Sequence, residues 1–297
     1  MKKLLLLLSI LFIPSMSHAA TGDVLFNCTF DGAGSTPSQV VANCGGSSDG
    51  SMNNSSAIVT GGHDGGKAIS YYYPNNGAEV IDAFQTPTFN KQELTVEYWE
   101  KFDVDPKSSG IMNVKSMRPY VGSNSSDYMA AIISAHNNGA WYQSTWAGGS
   151  GTLTTTSNAT NVVIDSSAYC TGSGTNYNCN NGRLELSWTS GWGTSWHKVR
   201  VYMKVPSSSS TTDGVTKLWI DDNLIYTLTN IKGNSTWAPY TTYILFHPSD
   251  DFFQGITGNK FTFHHLYDDI KVYEGYVPPS TSGTSLASPS GLKVVSN

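Results

Sequence analysis

The chain has 297 residues, and 17 Lys and Arg against 22 Asp and Glu give it a net charge of −5 at neutral pH. Charged residues make up 13% of the sequence and aromatic residues 12%, a balance typical of many short strands joined by polar turns. The sequence contains no basic stripe, which argues against a nucleic-acid partner. After residue 20, no apolar run is long enough to span a membrane.

Residues 1–20 have the pattern of a secretory signal peptide. Lys2 and Lys3 precede an apolar run over residues 4–14, and Ser17-His18-Ala19 forms a small-x-small cleavage pattern. The apolar run is too short to cross a bilayer, so a retained anchor is the weaker alternative. We therefore expect a secreted protein, extracellular or periplasmic, whose folded domain covers residues 21–276 and is monomeric.

Alternating apolar and polar residues predict strands throughout that domain and few helices. The clearest alternation puts Val199, Val201 and Met203 on one face of a strand. A tight corner at residues 221–223 joins two more strands, because Asp and Asn tolerate left-handed backbone angles. The predicted strands are residues 23–30, 57–60, 68–73, 94–103, 110–120, 127–134, 140–146, 183–188, 199–205, 215–220, 224–228, 240–247 and 261–273. This number suits an all-β, two-sheet antiparallel β-sandwich.

Four of the predicted strand regions carry motifs in a recognisable order. They are GGHDGGKAISYYY over residues 61–73, LTVEYWEKFD over 94–103, WHKVRVY with DGVTKLWIDD over 196–222, and HLYDDIKVY over 265–273. Together they resemble the concanavalin A-like jelly rolls, which include laminin-G-like domains and jelly-roll polysaccharide lyases. The resemblance implies a jelly roll whose first and last strands pair. Asp222-Asn223 stands where Asp-Gly is usual in those proteins.

The four cysteines allow three disulfide pairings. Local loop closure favours Cys28 with Cys44 and Cys170 with Cys179, and an oxidising compartment favours disulfides over free thiols. A metal cluster is the alternative, but neither pair has C-x-x-C spacing. We therefore expect two local disulfides.

Residues 277–297 differ from the domain in composition, being rich in Pro, Ser, Thr and Gly. Such a segment has too little apolar surface to pack, so we expect a disordered tail. Its last residues, PSGLKVV over 289–295, resemble the opening strand of a fibronectin type III domain, which leaves a short docking strand as the alternative.

Several catalytic patterns are missing from the sequence. It contains no H-E-x-x-H, no nucleotide-binding glycine loop and no G-x-S-x-G elbow. Glycosidases need two carboxyls roughly 5–10 Å apart. Glu97 and Glu100 are three residues apart and so face opposite ways on a strand, while Glu93 and Glu97 share a face at about 13 Å. The sequence therefore argues against a glycosidase with both carboxyls on this strand.

A polysaccharide lyase needs other groups, namely a cation or amide on the uronate carboxylate and a Tyr or His that moves protons. Residues 115–143 hold these side-chain types on three successive predicted strands. They are Lys115, Arg118, Tyr120, His136, Asn137, Tyr142 and Gln143. The alginate-lyase patterns R-x-E-L-R, Q-I-H and Y-x-K-A-G-x-Y-N-Q are not matched. From these residues we take Lys115, Arg118, Tyr120, His136 and Tyr142 as candidate catalytic residues of an eliminating lyase.

Carbohydrate binding without catalysis is the function that the sequence favours. Exposed aromatic rings stack on sugar faces, and the chain has eight Trp residues. Those beside Gly, Ser or Asn are candidates for a binding surface, together with one amide. The candidates are Trp141, Gln143, Trp146, Trp192 and Trp237. We predict that the partner is an extracellular polysaccharide.

A structural calcium ion is a further expectation, because jelly rolls of the resembled superfamily often bind one where the first and last strands meet. Calcium takes several oxygen ligands. Asp31, Asp268 and Asp269 would lie there if the terminal strands pair. The alternative is that these carboxylates are simply solvated.

Overall fold

The structure is a computed structural model that describes residues 22–48, 55–73, 83–105, 114–121, 128–136, 140–146, 150–155, 162–165, 170–173, 176–180, 183–188, 193–233, 240, 243–246 and 262–279. The backbone alone is described in residues 114–115, 128–136, 140–146, 150–155, 162–165, 170–173, 176–180 and 183–188. The predicted signal peptide and residues 280–297 of the predicted tail lie outside these ranges.

The described residues form nineteen strands and one helix. In chain order these are β1 (Val24–Cys28), α1 (Pro37–Asn43), β2 (Ser47–Ser48), β3 (Ser56–Thr60), β4 (Lys67–Tyr73), β5 (Phe84–Gln85), β6 (Glu93–Phe102), β7 (Val114–Tyr120), β8 (Tyr128–His136), β9 (Ala140–Trp146), β10 (Ser150–Thr155), β11 (Val162–Asp165), β12 (Cys170–Ser173), β13 (Asn176–Asn180), β14 (Arg183–Trp188), β15 (His197–Lys204), β16 (Gly214–Ile220), β17 (Asn223–Ile231), β18 (Tyr243–Phe246) and β19 (Phe263–Glu274). Within the described residues, no helix is long and apolar enough to cross a membrane.

The strands form two antiparallel sheets. The larger sheet has eleven strands in the order β12-β13-β10-β17-β16-β15-β6-β19-β4-β3, with β1 also paired to β19. The smaller sheet has eight strands in the order β11-β14-β9-β8-β7-β18-β5-β2. The predicted all-β, two-sheet antiparallel sandwich is therefore confirmed.

Alternation along the strands explains which face of the larger sheet is buried. In β15, Val199, Val201 and Met203 are fully buried in the core, as the sequence predicted. Arg200, between them, lies on the opposite face, where its Nε donates to Glu97 Oε2 over 2.8 Å. The predicted corner before β17 is also confirmed, because Asp221 and Asp222 have φ values of 50° and 63° between paired strands.

The core lies between the two sheets and is rich in aromatic rings. Phe246 of the smaller sheet packs against Tyr98 and Tyr267 of the larger sheet. Phe84, also of the smaller sheet, stacks on Phe246. All four side chains are fully buried. This cluster joins the sheets close to β7, the strand next to β18.

The first and last strands pair, as the resemblance implied. Phe26 is opposite Val272, and Cys28 is opposite Ile270. Cys28 forms a disulfide with Cys44, whose Cα atom is 5.3 Å away, so this predicted bridge is confirmed.

The second predicted disulfide falls in the part of the chain described by its backbone alone. Cys170 of β12 and Cys179 of β13 are directly opposite each other in an antiparallel pair. Residues in such pairs lie about 4.5–5.5 Å apart, the separation that a disulfide requires. The bridge between them stays a prediction.

After β19 the chain crosses the outer side of the larger sheet. Thr95 Oγ1 donates to Gly275 O over 2.7 Å and accepts from Val277 N over 3.0 Å. Tyr276 packs edge-on against Tyr202. The first residues of the predicted tail, 277–279, therefore begin on that side of the sandwich.

Candidate functional site

Strands β7, β8 and β9, which carry the predicted catalytic residues, are direct neighbours in the smaller sheet. One face of this sheet packs on the core, and we call the other its outer face. A site on the outer face would draw its side chains from strands only about 4.8 Å apart. Only residues on the outer face can contribute their side chains to such a site.

Pairing with β18 decides the face for Arg118 and Tyr120. Ile244 of β18 is fully buried in the core, so its neighbour Tyr243 lies on the outer face. Tyr243 is directly opposite Tyr120. Opposite residues of an antiparallel pair share a face, and Arg118 shares it too because it is two residues from Tyr120.

These side chains contact one another on the outer face. Arg118 Nη1 donates to the Tyr120 hydroxyl over 3.4 Å. The Tyr120 ring stacks on Tyr243 with centroids 4.9 Å apart and planes 11° apart. Burial raises the pKa of Tyr243, and the neighbouring Tyr120 raises it further. Tyr243 is therefore a neutral phenol at neutral pH, beside a permanent guanidinium cation.

A β-bulge in β7 determines which face the neighbouring position 115 occupies. Two steps along β7, from Lys115 to Met117, match a single step along β8. The extra residue, Ser116, is fully buried, and so is Met117. Positions three apart on a regular strand fall on opposite faces. Because the bulge adds a residue, positions 115 and 118 both fall on the outer face.

The backbone ladder continues this face across β8 and β9. Position 115 is in one row with Ile133, Tyr142 and Glu185. Tyr120 is in one row with Tyr128 and Trp146. His136 is opposite Ala140, two residues before Tyr142 in β9 and on the same face.

The structure thus brings the backbone positions of the predicted catalytic residues to one face of the smaller sheet. These are positions 115, 118, 120, 136 and 142, and position 146 of the predicted sugar-binding set joins them. Position 143 is in one row with Met117 on the core face, and position 141 falls on that face too. Trp192 and Trp237 lie outside the described residues.

The outer-face positions 115, 118, 120, 136, 142 and 146 form a patch. Tyr243 belongs to this patch, although the chemical reasoning from the sequence did not select it. Its strand was predicted as residues 240–247, and alternation alone would have put Tyr243 and Leu245 on one face. What the sequence lacked was the pairing of β18 with β7, which joins segments more than a hundred residues apart.

Asp31, Asp268 and Asp269 lie around the glycine-rich loop of residues 61–66. Asp31 Oδ1 accepts Lys67 N over 2.7 Å, and Asp268 Oδ2 accepts His63 N over 2.8 Å. Asp269 N donates to Asp268 Oδ1 over 2.8 Å. Asp31 and Asp268 therefore hold the loop and the residue after it through backbone amides, and Asp269 Oδ2 lies 3.3 Å from Nδ1 of the His63 ring.

The loop needs glycine where these carboxylates approach it. A Cβ atom at Gly62 would lie 2.4 Å from Asp268 Oδ2, and one at Gly66 would lie 2.4 Å from Asp31 Oδ1. Oxygens already bonded to amides do not match the open oxygen cage that calcium takes. Among the residues with described side chains, no three His, Cys, Asp or Glu converge as a metal site. Calcium binding stays a prediction.

No protein-family model matches this chain, and no curated protein matches it by sequence. Solved structures do match it. The alginate lyase Aly36B superposes with a TM-score of 0.52 at 14% identity, over 87% of this chain and 99% of that one. The alginate lyase from Aplysia kurodai gives 0.52 at 11% identity, over 84% and 98%. The alginate lyase vAL-1 from Chlorella virus gives 0.50 at 12% identity, over 81% and 98%.

The chain has a jelly-roll fold. The resemblance seen in its strand motifs is thereby confirmed at the level of fold. Identities this low establish a shared architecture and leave the reaction to be argued from the side chains.

Proposed function

We propose that this protein is a polysaccharide lyase that cleaves a uronate-containing polysaccharide by β-elimination on the outer face of the smaller sheet. The observation that carries the proposal is the contact of the Arg118 guanidinium with the Tyr120 hydroxyl on that face. The shared fold with alginate lyases supports it. Export through the predicted signal peptide would bring the enzyme to polymer outside the cytoplasm.

The reaction requires that the proton on C5 of a uronate become acidic. Arg binds carboxylates through two parallel hydrogen bonds and so withdraws their charge. A base takes the C5 proton, a C4=C5 double bond forms, the C4–O bond breaks, and an acid protonates the leaving oxygen. The products are two shorter chains, one ending in an unsaturated uronate, and no other reagent is consumed.

The residues on the outer face can be assigned to these steps. Arg118 binds the carboxylate, and the Tyr120 hydroxyl beside it faces C5 of the same sugar as the proton-transferring group. Lys115 is a second cation for the carboxylate. His136 and Tyr142 are the remaining candidates for base or acid, on strands directly beside β7.

Binding without catalysis is the competing function. It depends mainly on Trp residues whose side chains lie outside the described residues, whereas the lyase proposal depends on a described contact. Both functions predict retention of the protein on polysaccharide gels. Only the lyase produces the ultraviolet absorbance of an unsaturated uronate.

The test is a set of variants assayed on alginate, glucuronan, ulvan and heparin-like chains. We expect the native protein to generate the absorbance on at least one polymer, and Arg118→Ala to lower kcat/KM by about 100-fold, since it removes a transition-state cation. Lys217→Ala is the matched control, because Lys217 lies over Tyr276 on the opposite side of the sandwich. It should change kcat/KM by no more than about twofold.

Two results would count against the proposal. If the native protein is retained on a polymer but yields no absorbance on any of them, it is a binding module. If Arg118→Ala retains full activity, the reaction takes place elsewhere on the molecule.

A further inference from the structure

A chain of polar side chains crosses the apolar core from one sheet to the other. His265 Nε2 and Glu100 Oε1, both on the larger sheet, are 2.5 Å apart. His265 Nδ1 lies 3.4 Å from the Tyr267 hydroxyl. That hydroxyl donates to Ser116 of the smaller sheet, at Oγ over 3.0 Å and at the backbone carbonyl over 3.2 Å.

This chain of polar side chains is completely shielded from solvent. The side chains of Glu100 and His265 are 0% exposed, and Phe102 stacks on the His265 ring with centroids 4.3 Å apart. Within the described part of the protein, Glu100 Oε2 has no hydrogen-bond partner. Replacing a buried, hydrogen-bonded polar pair by apolar side chains is often neutral or stabilising, so stability alone does not account for these polar side chains.

This chain of polar side chains ends at Ser116, the extra residue that forms the bulge between Lys115 and Met117 of β7. Tyr98 of the larger sheet also holds the Ser116 hydroxyl, over 3.2 Å. Bulges re-aim the side chains that follow them, and a slip of one residue moves a strand's side chains to the other face. Whatever holds Ser116 therefore also holds position 115 on the same face as Arg118.

We propose that Glu100, His265 and Tyr267 are positioning residues, which act through Ser116 to keep Lys115 and Arg118 on the same face for recognition of a uronate carboxylate. The inference rests on the proposed function. None of the three touches the outer face. Glu100 orients His265, the imidazole contacts the Tyr267 hydroxyl, and that hydroxyl holds the hydroxyl and the backbone carbonyl of Ser116.

A positioning role predicts which kinetic constant changes most when the Tyr267 hydroxyl is removed. Loss of the Tyr267 hydroxyl removes its hydrogen bonds to Ser116 in the bulge, but it removes no group that contacts the substrate. The carboxylate is then bound less well, so KM rises more than kcat falls. A purely structural role would lower the melting temperature and leave the KM of the folded protein unchanged.

The test compares Tyr267→Phe with Tyr226→Phe. Both tyrosines are 0% exposed core residues, so each change removes one buried hydroxyl. Within the described residues the Tyr226 hydroxyl has no hydrogen-bond partner and lies outside the chain to Ser116. We expect Tyr267→Phe to raise KM about tenfold, which corresponds to about 1.4 kcal/mol, the size of one buried hydrogen bond. Tyr226→Phe should leave KM unchanged.

Hydrogen exchange provides a readout that does not depend on activity. Tyr267→Phe should speed amide exchange in residues 114–120 by about tenfold, while Tyr226→Phe leaves it unchanged. Ser116→Ala keeps the carbonyl acceptor for Tyr267, so its effects on KM and exchange should be smaller than those of Tyr267→Phe.

The outcomes separate this inference from the proposed function. If Tyr267→Phe and Tyr226→Phe show the same exchange in residues 114–120, the positioning role is wrong whatever the enzyme does. If exchange differs as expected but the native protein has no lyase activity, the proposed function is wrong and the chain positions β7 for something else. If exchange differs and activity is present but KM is unchanged, the link from bulge to carboxylate recognition is wrong.

Discussion

Replacing Phe246 by Ala tests whether this ring and its aromatic neighbours hold the two sheets together. The Phe246 ring is stacked on Phe84, with centroids 4.9 Å apart. It also meets Tyr98 edge-on at 5.4 Å and Tyr267 edge-on at 5.7 Å, both across the core. Phe246 is opposite Met117 in β7, so the same ring supports the strand that carries Arg118.

The expected loss of stability follows from these contacts. Phe→Ala in a packed core costs about 3–5 kcal/mol. That range already includes aromatic contacts, which contribute about 0.5–1.5 kcal/mol per pair beyond the area buried, and three such pairs are lost here. We therefore expect Phe246→Ala to lower the free energy of unfolding by about 4–5 kcal/mol, in the upper part of that range.

Urea unfolding at 25 °C, followed by tryptophan fluorescence, measures this loss. Leu245→Ala is the matched control, because Leu245 is the adjacent residue of the same strand but lies half-buried on the outer face. Its loss should be about 1 kcal/mol. A loss for Phe246→Ala no greater than that for Leu245→Ala would refute the claim that this cluster joins the sheets.

Two further predictions concern Asp268 of the last strand and the disulfide of the first strand. Burial raises the pKa of Asp268 from its ordinary value of 3.8 to about 7, so this group takes up a proton on folding between those values. Its contribution to stability is complete below pH 3.8 and is lost as pH rises through about 7. Asp268→Asn should therefore gain stability relative to the native protein as pH rises over this range, and a constant difference in melting temperature would contradict the prediction. Replacing Cys28 and Cys44 by Ser opens a loop with a sequence separation of 16 and should lower the free energy of unfolding by about 3 kcal/mol, measured by urea unfolding. An unchanged midpoint in the double variant would show that the bridge does not constrain the unfolded chain.

Much of the fold could be predicted because the alternation of apolar and polar residues along a strand shows which of its faces is buried. β9 and β14 have the predicted bounds, and most other predicted strands differ by a few residues at their ends. Helix α1 was missed because its seven residues are too few for a helical period to show. Its start signals were nonetheless present, with Thr36 as the N-cap and Pro37 in the first turn. The strands β2, β5 and β10–β13 were missed because segments of two to six residues are too short to show a sustained alternation.

The candidate site could be predicted only as a set of side-chain types. Arg118 and Tyr120 were selected because a cation and a phenol suit elimination chemistry, and their shared face was assigned by the pairing of β7 with β18. The ladder put Tyr142 on that face and position 143 on the other, which no periodicity within β9 could have assigned. Tyr243 joined the patch through a pairing between distant strands.

The sequence by itself determined the class of fold and the strand that carries the candidate cation, since both follow from residues close together in the chain. The tertiary structure alone decided that position 115 lies on the same face as Arg118. That outcome depends on one extra residue, Ser116, held by Tyr98 and Tyr267, which are 18 and 151 residues away in sequence. Contacts across such distances form only when the two sheets pack together, so no local pattern encodes them.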